Sequence, residues 1–171
     1  GLWEDGSLFS EPEDPVIDLT GAPIKALCLN VAHACNMKCS YCFASQGSFG
    51  LRPSLMSSEV GRRAVDFLVE NSQGVKHLEV DFFGGEPLLN WEVVKDIVNY
   101  GRQIEAGTGK IINFTLTTNC LLLDEEIMDY LVQEKIGVIL SLDGREEVND
   151  RYRVLNNGQG SYKTILPKIH K

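Results

Sequence analysis

Three of the five cysteines of this chain lie close together, at Cys35, Cys39 and Cys42. Their spacing, C-x₃-C-x₂-C, puts three thiolates on one short loop, where they could bind a small inorganic cluster. Iron–sulfur clusters are held by cysteine thiolates, commonly four of them. A cubane cluster held by only three protein thiolates keeps one iron open to a ligand that is not protein. That open iron is where chemistry could occur.

A structural zinc site is the alternative, because such sites bind zinc through four Cys or His ligands. Cys28 or His33 is close enough in sequence to supply the fourth ligand. Zinc loops usually contain two separated cysteine pairs, however, and here Cys120 stands alone. Aromatic residues on both sides of the last cysteine, Tyr41 and Phe43, fit a loop that shields a cofactor. The spacing therefore favours a cluster and leaves zinc open.

Three further segments carry residues that suit a bound small molecule. They are Gly-Gly-Glu-Pro at residues 84–87, Thr-Thr-Asn-Cys at residues 117–120 and Ser-Leu-Asp-Gly at residues 141–144. Paired glycines allow backbone dihedrals that are closed to other residues, and the Glu86 carboxylate can accept hydrogen bonds from an ammonium group. Beyond the third segment, Arg153 carries a planar fork that matches a carboxylate. The alternatives are an ordinary glycine turn, an asparagine that only caps backbone groups, and a charged surface loop.

The elements that must position these residues follow from the hydrophobic pattern. Apolar runs predict buried strands over residues 26–32, 78–83, 111–118 and 136–142, and a weaker edge strand over residues 16–19. Strands that alternate with helices predict an α/β fold with a parallel sheet, here of four βα units. Residues of an active site collect at the carboxyl ends of such strands, where all the candidate segments lie. The sequence therefore predicts one site.

Each predicted helix has a start signal, and the first three also have an apolar inner face. The starts are Ser57 or Ser58, Asn90, Asp124 and Ser161. The predicted inner-face residues are Val60, Ala64, Phe67 and Leu68, then Val93, Val94, Ile97 and Ile104, then Ile127 and Leu131. Pro167 should bend or end the fourth helix. Cys28, within the first strand, is predicted to be a small buried hydrophobe.

Composition limits the function classes further. The chain has 171 residues, 43% of them hydrophobic, and a net charge of −8. It has neither a basic stripe nor a long apolar run, so we expect no nucleic-acid partner and no membrane span. An odd, uneven set of cysteines fits a reducing cytoplasm, and the first residues do not resemble a signal peptide. We predict an extended N-terminal lead-in over residues 1–24 and one domain over residues 25–171. The first residue is not Met, which suggests that the sequence is a piece of a longer protein.

The cysteine motif with an aromatic before its third cysteine resembles the signature of the radical S-adenosylmethionine (SAM) enzymes. That resemblance implies a 4Fe–4S cluster on Cys35, Cys39 and Cys42, and SAM bound through its amino and carboxylate groups to the open iron. One electron then cleaves SAM to methionine and a 5′-deoxyadenosyl radical. The implied fold is a partial (β/α) barrel, incomplete here at its C-terminal side, since the full core has six βα units.

The same resemblance assigns SAM contacts to the other segments. It implies that Gly84, Gly85 and Glu86 contact the amino group of SAM and that backbone near Tyr41 and Phe43 meets the adenine. It also implies that Ser141 and Arg153 bind the carboxylate of SAM. Asn119 either reaches the ribose or caps backbone groups. Two positions differ from the usual family sequence: Cys120 stands where glycine is usual, and Asn149 stands where histidine is usual.

Three stretches, residues 26–44, 79–88 and 140–145, resemble one subgroup, the SPASM-type maturases of six-cysteine-in-forty-five (SCIFF) peptides. Those enzymes join a cysteine sulfur to a backbone α-carbon in a ribosomally made, cysteine-rich precursor peptide. The implied partners are that peptide and a reduced flavodoxin or ferredoxin. The expected N-terminal peptide-recognition and C-terminal SPASM regions are missing, so the chain alone is not expected to complete a turnover. Other SPASM-type enzymes and a SAM-binding domain without activity stay open as alternatives.

Overall fold

A five-stranded sheet forms the framework of the computed structural model, which describes residues 21–171. The strands are β1 (Ala26–His33), β2 (Ser54–Leu55), β3 (His77–Gly84), β4 (Ile111–Thr118) and β5 (Gly137–Leu140). Their order is β2-β1-β3-β4-β5; the two-residue β2 is antiparallel to β1, and the other four strands are parallel. This arrangement confirms the four predicted βα strands. The predicted strand at residues 16–19 lies outside the described residues.

Five α-helices follow the strands. They are α1 (Ser58–Glu70), α2 (Trp91–Thr108), α3 (Glu125–Gln133), α4 (Glu146–Tyr152) and α5 (Tyr162–Ile169), and a 3₁₀ turn (Pro87–Asn90) precedes α2. Ser57 and Asp124 cap α1 and α3 as predicted, each accepting a hydrogen bond from a backbone N–H three residues on. Asn90 precedes α2, but its amide donates instead to the carbonyl oxygens of Val31 and Met56, each at 2.9 Å. The sequence did not predict β2 or α4.

The hydrophobic core lies between α1–α3 and one face of the sheet. Alternate residues of β3 and β4 point into it, and the rings of Phe82 and Phe114 stack there with centroids 5.6 Å apart. The opposite face carries polar residues at the intervening positions. Among them, the Asp81 carboxylate accepts hydrogen bonds from the Thr115 hydroxyl at 2.7 Å and the Cys28 thiol at 3.8 Å. One face of the sheet thus supports the fold, and the other is polar.

Two sequence predictions about burial are wrong. The buried residues of α1 are Gly61, Val65 and Leu68, whereas Val60 and Phe67 are exposed. The helix is rotated because Gly61 contacts the side chain of Ile97 in α2, where a Cβ would overlap that side chain. Cys28 is exposed because its position on β1 points to the polar face.

The last strand is shorter than predicted, whereas the last helix does not end at Pro167. Strand β5 covers four residues, all exposed, because it is the sheet edge in the described part of the chain. Helix α5 continues through Pro167 and ends two residues later, at Ile169. Within residues 21–171, no helix combines the length and the apolar character required to cross a bilayer.

Candidate functional site

A cavity of about 150 Å³ lies where the parallel strands end. The loop after β1 supplies the three cysteines, and the segments after β3, β4 and β5 supply glycines, Asn119 and Ser141. The complete lining is Cys35, Cys39, Tyr41, Cys42, Phe43, Ala44, Gly47, Phe83, Gly84, Gly85, Thr117, Thr118, Asn119, Ser141 and Arg153. The structure therefore brings together every predicted site residue except Glu86.

The cysteine loop is attached to the segment that follows α4. The backbone N–H of Lys38 donates to the carbonyl of Val154 at 2.8 Å, and that of Ser40 donates to Tyr152 at 2.9 Å. Met37, which is buried, pairs with Leu155 as an isolated antiparallel bridge. These bonds fasten the cysteine loop to the end of α4 and to the residues that follow it.

The three cysteines of the loop are free thiols and partly buried. Burial raises the pKa of Cys35 and of Cys39, and the charge of nearby Arg153 opposes the rise at Cys39. Binding of a metal has to displace the protons from these thiols. Within residues 21–171, no three or more Cys, His, Asp or Glu side chains converge as ligands of a single metal ion. All three cysteines lie on the lining of the same cavity.

Three glycines let the loop after β3 lie directly against the cysteine loop. Gly84 has φ +125°, which L side chains rarely adopt. A Cβ on Gly47 would lie 2.6 Å from the Cα of Gly85, and a Cβ on Gly85 would overlap the carbonyl oxygen of Ala34. The two loops therefore touch backbone to backbone, with no room for a side chain between them.

The Glu86 side chain lies apart from the other predicted site residues, and its contact with SAM stays a prediction. Glu86 is fully buried and does not line the cavity. Its carboxylate accepts hydrogen bonds from the backbone N–H groups of Leu88 (3.0 Å) and Asn119 (2.8 Å) and from the Thr118 hydroxyl (2.8 Å). Burial raises the pKa of this carboxyl, and the three donors oppose that rise. The side chain fastens the loop after β3 to the end of β4, because every donor comes from those two segments.

Asn119 and Cys120 form the turn after β4. The Asn119 amide donates to Asn36 at 2.7 Å and to the Cys35 thiol at 3.7 Å, while its oxygen accepts from the N–H of Leu121 at 3.0 Å. The capping alternative is therefore observed, and a ribose contact stays a prediction. Cys120 has φ +69°, so it keeps the left-handed turn that glycine would form. Burial raises the pKa of its thiol to about 11, which leaves the thiol protonated at neutral pH.

Arg153 brings a positive charge to the cavity. Its side chain is 7% exposed, and its Nη1 donates to the Tyr41 hydroxyl at 2.9 Å. Its Nε is buried and has no hydrogen-bond partner among residues 21–171. Ser141 lies beside it on the lining, while the Phe43 ring is 80% exposed at the cavity. A buried, unpartnered N–H of a cation is costly unless a ligand accepts its hydrogen bond.

The family model of the radical SAM superfamily matches residues 29–171. The chain belongs to the radical SAM superfamily. The match includes all eleven predicted site residues, and the observed sheet is the partial barrel that the resemblance implied.

Several known proteins resemble the chain over most of its length. An uncharacterized protein of Methanocaldococcus jannaschii is 32% identical over 147 residues, which is 86% of this chain and 48% of that protein. A radical SAM cyclopropyl synthase of Paramaledivibacter caminithermalis is 27% identical, and the match covers 88% of this chain and 33% of that protein. The structure of anSMEcpe with bound AdoMet and the Cp18Cys peptide superposes with a TM-score of 0.75, at 26% identity, over 86% of this chain and 39% of that one. The chain spans less than half the length of each.

The cofactors of radical SAM proteins are a 4Fe–4S cluster and SAM, and the residues of the cavity fit both. Three free thiols line one cavity, as a cluster with an open iron requires. The unpartnered Nε of Arg153 provides a donor for the carboxylate of SAM. The Gly84–Gly85 backbone lies in the same cavity, where it is accessible to the amino group.

Proposed function

We propose that this protein is a radical SAM peptide maturase, in which Cys35, Cys39 and Cys42 hold the 4Fe–4S cluster. One observation carries the proposal: the three thiols, the Gly84–Gly85 backbone and the unpartnered Arg153 Nε lie on the same cavity. When bound, the reduced cluster supplies one electron that cleaves SAM to methionine and a 5′-deoxyadenosyl radical.

The chain's own residues orient SAM for this step. Arg153 and Ser141 bind its carboxylate, and the backbone of the loop after β3 binds its amino group, since Glu86 uses its carboxylate internally. The backbone near Tyr41 and Phe43 meets the adenine. Asn119 stays attached to the cysteine loop and is available to the ribose.

The substrate that we propose is a ribosomally made, cysteine-rich peptide of the SCIFF type. The subgroup motifs at residues 26–44, 79–88 and 140–145 support this assignment, and anSMEcpe, which resembles this chain in structure, has been solved with a peptide. The product is a thioether between a cysteine sulfur and an α-carbon. The 5′-deoxyadenosyl radical takes the hydrogen atom of the α-carbon; as the C–S bond forms, the thiol loses its proton and one electron passes to an iron–sulfur cluster of the expected SPASM region. A reduced flavodoxin or ferredoxin supplies the electron, and such a reaction belongs in the cytoplasm.

Anaerobic reconstitution tests the proposal. We expect about four irons and four sulfides per protein, as a cubane requires. The reduced protein should then convert SAM to 5′-deoxyadenosine and methionine. Crosslinking of a SCIFF peptide, which mass spectrometry detects as a loss of two hydrogens, is expected only of a longer chain that also carries the peptide-recognition and SPASM regions. Zinc without sulfide would identify a structural metal site instead. A cluster without SAM cleavage would identify a binding domain, and a longer chain that cleaves SAM without crosslinking the peptide would leave only the general radical SAM activity.

Replacement of Arg153 should weaken SAM binding without changing the cluster. Removing one partner of a desolvated charge pair costs about 2–5 kcal/mol, so Arg153→Ala should weaken SAM binding by tens-fold or more. Arg153→Lys keeps the charge but loses the Nε donor and should also bind SAM weakly. Titration of reconstituted protein with SAM measures both effects, and the absorption spectrum reports the cluster.

Arg151→Ala is the matched control, because Arg151 is exposed and lies outside the cavity lining. It should bind SAM like the wild type. Equal SAM affinity in the wild type and both Arg153 variants would remove Arg153 from the site.

A further inference from the structure

One hydroxyl group connects the cysteine loop with two residues that lie more than one hundred positions later in the sequence. The Tyr41 hydroxyl, in the cysteine loop, donates to the Asp143 carboxylate at 2.7 Å. The same hydroxyl accepts a hydrogen bond from Arg153 Nη1 at 2.9 Å. Asp143 follows β5 and Arg153 follows α4, so the two partners come from different parts of the chain.

The backbone of Arg153 is fixed by other groups. Its N–H donates to the carbonyl of Asn149 at 2.7 Å, and its carbonyl accepts from the Ser161 hydroxyl at 2.8 Å. The buried Asn149 amide donates in turn to Ser161 at 3.0 Å. These bonds position the backbone of Arg153, and none of them is made by its guanidinium.

The guanidinium has a single anchor among residues 21–171. The bond from Nη1 to Tyr41 is the one side-chain hydrogen bond found for it there, and Nε has none. Arg153 and Asp143 meet through the Tyr41 hydroxyl, which accepts from one and donates to the other. Loss of this hydroxyl would free the guanidinium of a cavity-lining side chain.

We infer that Tyr41 is a positioning residue for SAM: its hydroxyl holds the Arg153 guanidinium in the orientation that receives the SAM carboxylate. The inference rests on the proposed function, because it requires Arg153 to bind that carboxylate. It adds a role for the aromatic residue of the cysteine motif that is separate from contact with adenine. A preoriented donor loses less conformational freedom when the ligand binds, so affinity depends on Tyr41.

The test compares two ligands that differ by one group, SAM and decarboxylated SAM. Both are titrated into the reconstituted wild type and into Tyr41→Phe, which keeps the ring and removes the hydroxyl. We expect SAM to bind Tyr41→Phe about tenfold more weakly, equivalent to about 1.4 kcal/mol. Decarboxylated SAM should bind both proteins equally, because it offers nothing to Arg153.

Tyr130→Phe is the matched control. It removes a hydroxyl that is hydrogen-bonded at 3.3 Å to Lys95 and at 3.2 Å to Asn99, on α2 and outside the cavity lining. Its affinity for both ligands should equal that of the wild type.

Variants of Asp143 test the other partner of the Tyr41 hydroxyl. Asp143→Asn, which keeps an oxygen that can accept the hydrogen bond from Tyr41, should retain more SAM affinity than Asp143→Ala.

Two results would overturn the inference. Unchanged SAM affinity in Tyr41→Phe would show that the hydroxyl does not act on the ligand. An equal loss for both ligands would show a general effect on the fold of the loop. If the wild type itself binds SAM and decarboxylated SAM equally, the carboxylate contact of Arg153 is wrong, and the proposed SAM site fails before the role of Tyr41 is reached.

Discussion

Replacement of Cys39 by alanine is expected to abolish assembly of the iron–sulfur cluster, and the same result is expected for Cys35 and Cys42. Each change leaves only two thiolates on the loop, and two thiolates hold a cubane poorly. The rest of the loop should stay in place, because backbone bonds to Tyr152 and Val154 hold it. Iron and sulfide content and the visible absorption spectrum after anaerobic reconstitution measure the loss.

The other two cysteines provide the controls. Cys28 lies on the polar face of the sheet, bonded to Asp81, and Cys120 is buried beside Thr118. Neither belongs to the three-cysteine loop. Cys28→Ala and Cys120→Ala should therefore assemble the cluster like the wild type. If Cys28→Ala loses iron as completely as Cys39→Ala, the assignment of the three ligands is wrong.

Replacement of Glu86 by alanine is expected to destabilise the fold severely. Three donors, from Leu88, Thr118 and Asn119, would lose their acceptor inside the protein. Each unsatisfied buried donor costs about 1–3 kcal/mol, so the loss of stability for the three donors should be about 3–9 kcal/mol, a large share of the stability of a typical domain. Urea unfolding of the metal-free protein, followed by circular dichroism, measures the change.

Two further variants keep this prediction testable if Glu86→Ala does not fold. Glu86→Gln retains an oxygen and a similar shape, so it should lose only part of the stability. Glu92→Ala, at an exposed position in the first turn of α2, should unfold like the wild type. A urea midpoint for Glu86→Gln or Glu86→Ala that equals the wild-type value would contradict the structural role of this carboxylate.

The sequence predicted the strands and the carboxyl-end site because both depend on local patterns. Apolar runs define the buried strands, and parallel strands must end at the same edge of the sheet. The inner face of α1 could not be predicted in this way. Gly61 can approach α2 closely because it has no side chain, and a glycine contributes no signal to a hydrophobic pattern.

Contacts between distant segments explain the other differences between the sequence predictions and the structure. The three donors that occupy Glu86 belong partly to β4, and Tyr41 meets Asp143 and Arg153 more than one hundred residues away. A resemblance places Glu86 at the right loop, but it does not determine which way the carboxylate points. Only the folded chain shows that Glu86 faces inward and that Tyr41 joins Arg153.

The contact between the cysteine loop and the loop after β3 has a consequence for which sequence changes this part of the chain tolerates. Gly47 and Gly85 meet there backbone to backbone. A side chain at either position would push the two loops apart and alter the cavity that both of them line. Variation in these loops is therefore limited by the space between two backbones as well as by the chemistry of the cysteines.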